Sequence, residues 1–402
     1  MSEDLVAHLN SMPALEGGSA DCASQIVTCT SVGDSDLDKI NGLSSMRWYD
    51  VTYDDGRSER LVLKQSGASD SAVRYGLARE GLFYAQWGDL VAAARPQIAA
   101  LLPRIERSAG DMSTGEKCIL LEDLSCCVQA GYFYGVSNPN NWGKDLDKAQ
   151  RGFTIDRAEV TELALSVGAK LHASTWNSAA LKEQARSLSW LRGAEWLVGE
   201  GRASWEASQA SVARMWESVK VKLADGSCTV SFDPLLVSCL DASVAKIDWD
   251  VFQIELASRP FCLTHGDFHP ANFMVRPKDA AGRHTLALLD WEIVGLGSGP
   301  QDVGQFLISH YDPEERAAVE REVVQRYFEE LALLVPDDAV RSMTSEECWA
   351  EYVDGGLGRW LWFVPMLVLM CPPKMGQFFV DQVTHFAATH GVTAETVPMP
   401  RA

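Results

Sequence analysis

Between Phe261 and Phe306 the chain reads FCLTHGDFHPANFMVRPKDAAGRHTLALLDWEIVGLGSGPQDVGQF, and no other stretch restricts the fold so tightly. The apolar run Phe261 to Thr264 predicts a short strand that delivers His265-Gly266-Asp267 to a loop. Asn272 follows five positions after Asp267. Phe273-Met274-Val275 predicts a second strand, residues 276–284 a polar turn, and residues 285–289 a returning partner that ends at Asp290. Two carboxylates and an amide are thus carried on the ends of one hairpin, where strand pairing can hold them together.

Such a donor set suits the transfer of a phosphoryl group. That transition state asks little covalent chemistry of a protein, so catalysis is positioning plus neutralisation of negative charge. One carboxylate is needed to orient a hydroxyl and accept its proton. A second carboxylate and a neutral amide oxygen can hold magnesium, which takes oxygen ligands and keeps part of its water. Asp-x-x-x-x-Asn followed by an Asp at a strand end supplies these parts in order. Singly the residues say less, because Asp and Asn often only cap turns. His265 and His269 read as loop-shaping histidines.

Upstream, Ile26 to Thr30, Met46 to Tyr53 and Arg60 to Lys64 read as strands, with Asp54-Asp55-Gly56 as a hairpin turn. Lys64 ends its apolar strand, and Glu80 lies sixteen positions later in a helical stretch over residues 72–87. Cys118 to Leu121 is an apolar strand running into the acidic corner Glu122-Asp123-Leu124. Residues 132–147, rich in Asn, Gly and Pro, predict a loop. Asp156 with Glu159 is a capping-box-like helix start, and Val160, Leu163, Ala164, Val167 and Leu171 mark one buried face. Trp190, Trp196, Trp205 and Trp216 read as core. Helices are predicted over 313–334, 345–370 and 375–389. The layout is α+β, with a strand-rich part over 1–124 and a mainly helical part over 125–402.

His265-Gly266-Asp267-Phe268-His269-Pro270-Ala271-Asn272, with Leu289-Asp290-Trp291-Glu292, resembles the aminoglycoside phosphotransferase and choline kinase group, including its broad ecdysteroid-kinase-like branch. The resemblance implies a protein-kinase-like bilobal fold and an enzyme that uses ATP and Mg2+ to phosphorylate a small-molecule alcohol. It implies Asp267 as catalytic base, Asn272 and Asp290 as magnesium ligands, and Asp302 as a brace for the loop. It also gives Lys64 the ATP phosphates, Glu80 the task of holding Lys64, and the hinge Glu122 to Leu124 the adenine. His172, near the end of its helix, is implied to be a packed structural histidine.

The phosphate loop departs from pattern, since no G-x-G-x-x-G occurs. Asn41 to Met46, with Ser44 and Ser45, is the candidate cradle for phosphate oxygens. A plain serine-containing turn reads equally well.

Two other readings compete. A protein kinase is disfavoured because Trp-Glu follows Asp290 and no A-P-E follows. Asp302, twelve positions on, leaves little room for a peptide-binding activation loop. A nucleotide-binding scaffold without catalysis fits the missing glycine loop, but the intact Asp267, Asn272 and Asp290 oppose it. For the substrate pocket, Trp349, Tyr352, Trp360, Trp362 and Phe363 are candidate walls. Such rings suit an amino alcohol or quaternary ammonium through cation–π attraction, although filling the core is their commoner role.

Composition limits the partners. Fifty-five acidic against 35 basic residues give a net charge of −20, which argues against nucleic-acid and anionic-membrane surfaces. Ten cysteines without a C-x-x-C pair, and an acidic N-terminus without a signal-peptide pattern, lead to an expected cytoplasmic setting. The apolar run Trp360 to Met370, interrupted by Pro365, is too short to span a bilayer. The oligomeric state is left open.

Overall fold

The computed structural model describes residues 2–12, 24–34, 44–91, 94–335 and 343–401. The chain forms two units. The first comprises Met1–Val128, Trp190–Arg192 and Met274–Val294, and the second Gln129–Ser189, Gly193–Phe273 and Gly295–Ala402. The division falls four residues beyond the expected boundary, and the first unit reclaims the 274–294 hairpin. The reason lies in that hairpin's partners. Leu288 N–H donates to the Leu101 carbonyl at 2.8 Å, Arg276 pairs with Glu122 at 2.6 Å, and the Trp291 ring stacks on Phe83 at 4.0 Å.

The first unit is built on an antiparallel sheet of β1 (Ile26–Asp34), β2 (Ser45–Tyr53), β3 (Ser58–Ser66), β4 (Ile105–Asp111) and β5 (Glu116–Glu122), in the order β1-β2-β3-β5-β4. Side chains alternate between faces along a strand. Leu61, Leu63, Cys118 and Leu120 therefore share one face, packed with Val51, Tyr53 and Leu9 of the Ser2–Ser11 helix. Lys64 lies opposite Ile119, and Lys117 opposite Ser66, so both lysines project from the other face. The expected 72–87 helix is two helices, Asp70–Tyr75 and Ala78–Leu90. Gly76 breaks it with φ +68°, its N–H closing on the Ala72 and Val73 carbonyls. Glu80 then falls in the first turn of the second helix.

The hairpin strands are β8 (Phe273–Val275) and β9 (Leu286–Leu288), joined with β6 (Val128–Gln129) in the order β6-β8-β9. The chain passes between the units inside β6 and β8.

The second unit is helical apart from β7 (Cys262–Thr264) paired with β10 (Gly295–Gly297). Its long helices are Arg157–Ala173, Arg202–Ala224, Gly299–His310, Pro313–Leu334, Ser345–Met370 and Pro373–Thr389. Asp156 caps the first by accepting from Glu159 N–H at 2.8 Å. Trp190, Trp205 and Trp216 are buried as expected, while Trp196 is half-buried. The expected loop over 132–147 holds short turns tied by Asn141, whose amide donates to the Gly131 and Gly135 carbonyls. The apolar run ending at Met370 proves to be the last part of a 26-residue helix that continues through Pro365. Among the described residues it alone is long and apolar enough to cross a membrane, yet half of its most apolar window is buried inside the protein. Gly304 and Gly356 let this helix and Gly299–His310 touch backbone to backbone, because a Cβ on Gly304 would lie 2.5 Å from Gly356 Cα. That close crossing sets the depth at which Asp302 and Gln305 meet the loop after β7.

Candidate active site

In the second unit, β7 hands the chain to His265-Gly266-Asp267. Gly266 has φ +77°, a left-handed turn that favours glycine. The buried Asp302 carboxylate braces the turn by accepting from His265 N–H at 2.7 Å and Gly266 N–H at 3.1 Å. His172 stands behind it, 3.3 Å from Asp302 and 2.8 Å from the Tyr327 hydroxyl, fully buried as a structural histidine. The Asp267 carboxylate, with 31% of its side chain exposed, accepts from Gln305 Nε2 at 3.0 Å and from Asn272 Nδ2 at 3.1 Å. His269 Nε2 lies 3.4 Å away, and its ring stacks on that of His310 at 5.3 Å. Burial works to raise the Asp267 carboxyl. His269, then His265 and Arg359, outweigh it and hold the group well below the usual carboxylate range. Asp267 is thus an ionised, partly open carboxylate with its position over-determined, placed to orient a hydroxyl by hydrogen bonding rather than chosen for strength as a base.

In the first unit, Lys64 pairs with Glu80 at 2.7 Å and with Asp290 at 3.0 Å. Burial alone would lower the Lys64 pKa, but Asp290, Glu80 and Glu292 push it well above its ordinary value. Lys117 is a second ammonium, with its side chain fully buried. It bonds Glu80 at 2.6 Å and also Glu292. Burial would raise Glu80, yet Lys117 and Lys64 hold it down at about 2. Glu292 is pushed up by burial and by Asp290. Asp290 itself takes a left-handed backbone, φ +68°, and keeps 41% of its side chain exposed. It is held there by Trp291 stacked on Phe83 and by Arg79, which donates to the Glu292 carbonyl.

The remaining predicted residues divide. Ser44 precedes β2 and Ser45 is inside it, paired with Gln65. Met46 follows in β2 opposite Lys64, and residues 41–43 of the candidate phosphate loop lie outside the described residues. Glu122 is committed to Arg276, and the Leu124 carbonyl accepts from Cys127 N–H in a turn.

Each unit by itself carries oxygen donors of the kind magnesium takes. Both Asn272 Nδ2 protons are directed at Asp267, one towards its carbonyl at 2.9 Å, which leaves the amide oxygen as the ligand atom of that side chain. Asp290 offers an exposed carboxylate. Oxygens of Glu80, Asp290 and Glu292 lie within 4.8 Å of one another, but Lys64 and Lys117 already serve as their counter-ions.

Sequence reasoning missed Lys117, Glu292, Gln305 and Arg359. For Lys117 a signal existed: it falls on the Lys64 face of the sheet once the register is known. Gln305, one turn after Asp302 on a helix face, was also open to inference. Arg359, in the middle of an apolar run, had no local signal.

No curated protein matches the sequence. Among solved structures, a choline kinase from Cryptosporidium parvum Iowa II is similar at 10% identity and TM-score 0.50, covering 97% of this chain and 95% of its own. A Plasmodium vivax ethanolamine kinase gives 10% identity and 0.43 over 90% and 81%. A microcompartment-associated aminopropanol kinase gives 14% and 0.45 over 90% and 90%. Of these three the first supports the fold, a kinase-like α+β arrangement of a strand-rich and a helical unit. None of them singles out the ecdysteroid-kinase-like branch. The model of the phosphotransferase enzyme family matches residues 143–337, the segment that holds Asp267, Asn272, Asp290 and Asp302, and over that segment the chain is similar to this family.

Proposed function

We propose that the protein is a small-molecule kinase that moves the γ-phosphoryl group of ATP to an alcohol, with magnesium as its metal. The observation that carries this is Asp267: an ionised carboxylate held by Gln305 and Asn272 and left partly open. Asp267 orients the acceptor hydroxyl and takes its proton as the oxygen bonds to phosphorus. The bond from phosphorus to the bridging oxygen breaks, and ADP leaves with that electron pair. Lys64, steadied by Glu80, aligns the phosphates of ATP. Asn272, in the second unit, and Asp290, in the first, would be the magnesium ligands, and the metal would supply neutralisation of charge on the phosphate oxygens. The cytoplasm is the proposed setting, supported by the unpaired state of every described cysteine.

The test is ADP release from ATP with a panel of alcohols, with and without magnesium. Asp267→Asn should lose about 10²- to 10⁴-fold in kcat while ATP affinity by calorimetry holds. Equal turnover by both proteins would refute the assignment of the base. ATP binding indifferent to magnesium, without turnover, would favour the scaffold reading.

A further inference from the structure

The five candidate wall rings do not form one wall: Trp349 packs with Tyr352, while Phe363 touches both Trp360 and Trp362 in a second group. Trp349 lies ten positions before Arg359 on the Ser345–Met370 helix, about 15 Å along the axis. It packs on Tyr352 and His390 and is faced by the Arg321 guanidinium at 4.6 Å. Tyr352 is fully buried, its hydroxyl donating to Glu320. Trp360 is buried and stacked on Phe379 at 5.1 Å. Only Trp362 and Phe363 belong to the surroundings of Asp267, through Arg359. That arginine is 1% exposed, and its Nη2 donates to the Gly266 carbonyl at 2.8 Å, next to Asp267 in the chain. Its guanidinium carbon lies 4.3 Å from the Phe363 ring centre and 5.5 Å from that of Trp362. Nε and Nη1 are buried with no hydrogen-bond partner among the described residues, so the ring faces take the place of water around this cation.

We propose that Arg359 is the cation these rings hold, in the place an ammonium head group would need, and that the alcohol phosphorylated here is an uncharged hydroxyl compound. The inference rests on the kinase reading and narrows it. A positively charged acceptor would meet the like charge of Arg359 beside Asp267. The two carboxylates at the turn are already set against other partners: Asp267 faces the charge of Arg359 and must receive the hydroxyl proton, and Asp302 faces that same charge and is engaged by His265 N–H, Gly266 N–H and His172. The groups around Asp267 are instead hydrogen-bonding amides and imidazoles. Gln305, Asn272 and His269 touch it, His310 stacks on His269, and Asn140 lies 3.0 Å from His310. Amides and imidazoles donate to and accept from hydroxyls without asking for charge.

The experiment compares acceptors that differ in charge alone, using the full chain with ATP and magnesium and reading ADP release. The pairs are choline with 3,3-dimethylbutan-1-ol, and glucosamine with glucose. Glycerol and inositol are added as uncharged polyols and glycerate as an acid. The uncharged members should exceed their ammonium partners at least tenfold in kcat/KM. Arg359→Lys should preserve the ranking, and Arg359→Met should shrink the gap at least tenfold if its melting curve shows it folded. If Arg359→Met does not fold, the wild-type and Arg359→Lys rankings decide. An ammonium acceptor or glycerate ranking first, or a folded Arg359→Met with an unchanged gap, overturns the proposal. Absence of ADP release with every acceptor, unchanged by Asp267→Asn, overturns the kinase reading beneath it, a result distinct from a wrong ranking.

Discussion

Replacing Lys117 by methionine keeps the length of the buried stem and removes one charge. In the native first unit that ammonium bridges Glu80, at 2.6 Å, and Glu292. Breaking a buried ion pair by deleting one partner costs about 3–5 kcal/mol, because the charge left behind has lost its water. Glu80 keeps Lys64 at 2.7 Å, whereas Glu292, already pushed up by burial and Asp290, takes up a proton. The expected destabilisation is therefore at the lower end, about 3 kcal/mol near neutral pH. Because the variant binds an extra proton when folded, its deficit should shrink as the pH is lowered from 8 to 6. Adding Glu292→Gln to Lys117→Met should recover about 2 kcal/mol, the size of coupling expected for contacting groups. Urea unfolding followed by circular dichroism and by tryptophan fluorescence measures each step. A loss below about 1 kcal/mol, or a double variant no more stable than the single one, would show that Lys117 does not balance these carboxylates.

Gln305→Leu removes the donor to Asp267 Oδ1. A hydrogen bond to a charged group is worth about 1.5–3 kcal/mol, so kcat should fall roughly 10- to 100-fold with little change in ATP affinity by calorimetry. Acid should weaken the first unit through Glu80, held at about 2 against an ordinary 4.5 because Lys117 and Lys64 outweigh burial. Its depressed pKa contributes stability that is present above 4.5 and fades as pH falls towards 2. Urea midpoints between pH 5 and pH 3 should drop more steeply for wild type than for Glu80→Gln. Gly304→Ala places a methyl 2.5 Å from Gly356 Cα and should cost at least about 1–3 kcal/mol, read as a lower Tm.

How far the sequence reached can be judged element by element. The strands around Asp267 and Asp290 were recoverable because hairpin turns and short apolar runs are local signals. So was the Asp156 cap, whereas the Lys64–Glu80 pair, which the structure joins at 2.7 Å, was reached only through the family resemblance. The single helix expected over 72–87 is two helices because the left-handed φ of Gly76 closes the first before the one that carries Glu80 begins at Ala78. The ring wall failed for a different reason. Helical spacing tells which residues share a side of one helix, but not whether a neighbour such as Arg321 or Phe379 already covers them.

The amino-acid order alone determined the donor types, their order and the hairpin that carries them, since each depends on contacts between residues close in the chain. Tertiary structure alone decided the partners of the buried charges. Lys117 finds Glu292 across 175 positions, and Arg359 finds Gly266 across 93. The electrostatic environment of a group depends on every dipole and charge packed within a few ångströms, and those neighbours are chosen by how sheets and helices stack, which no local pattern records.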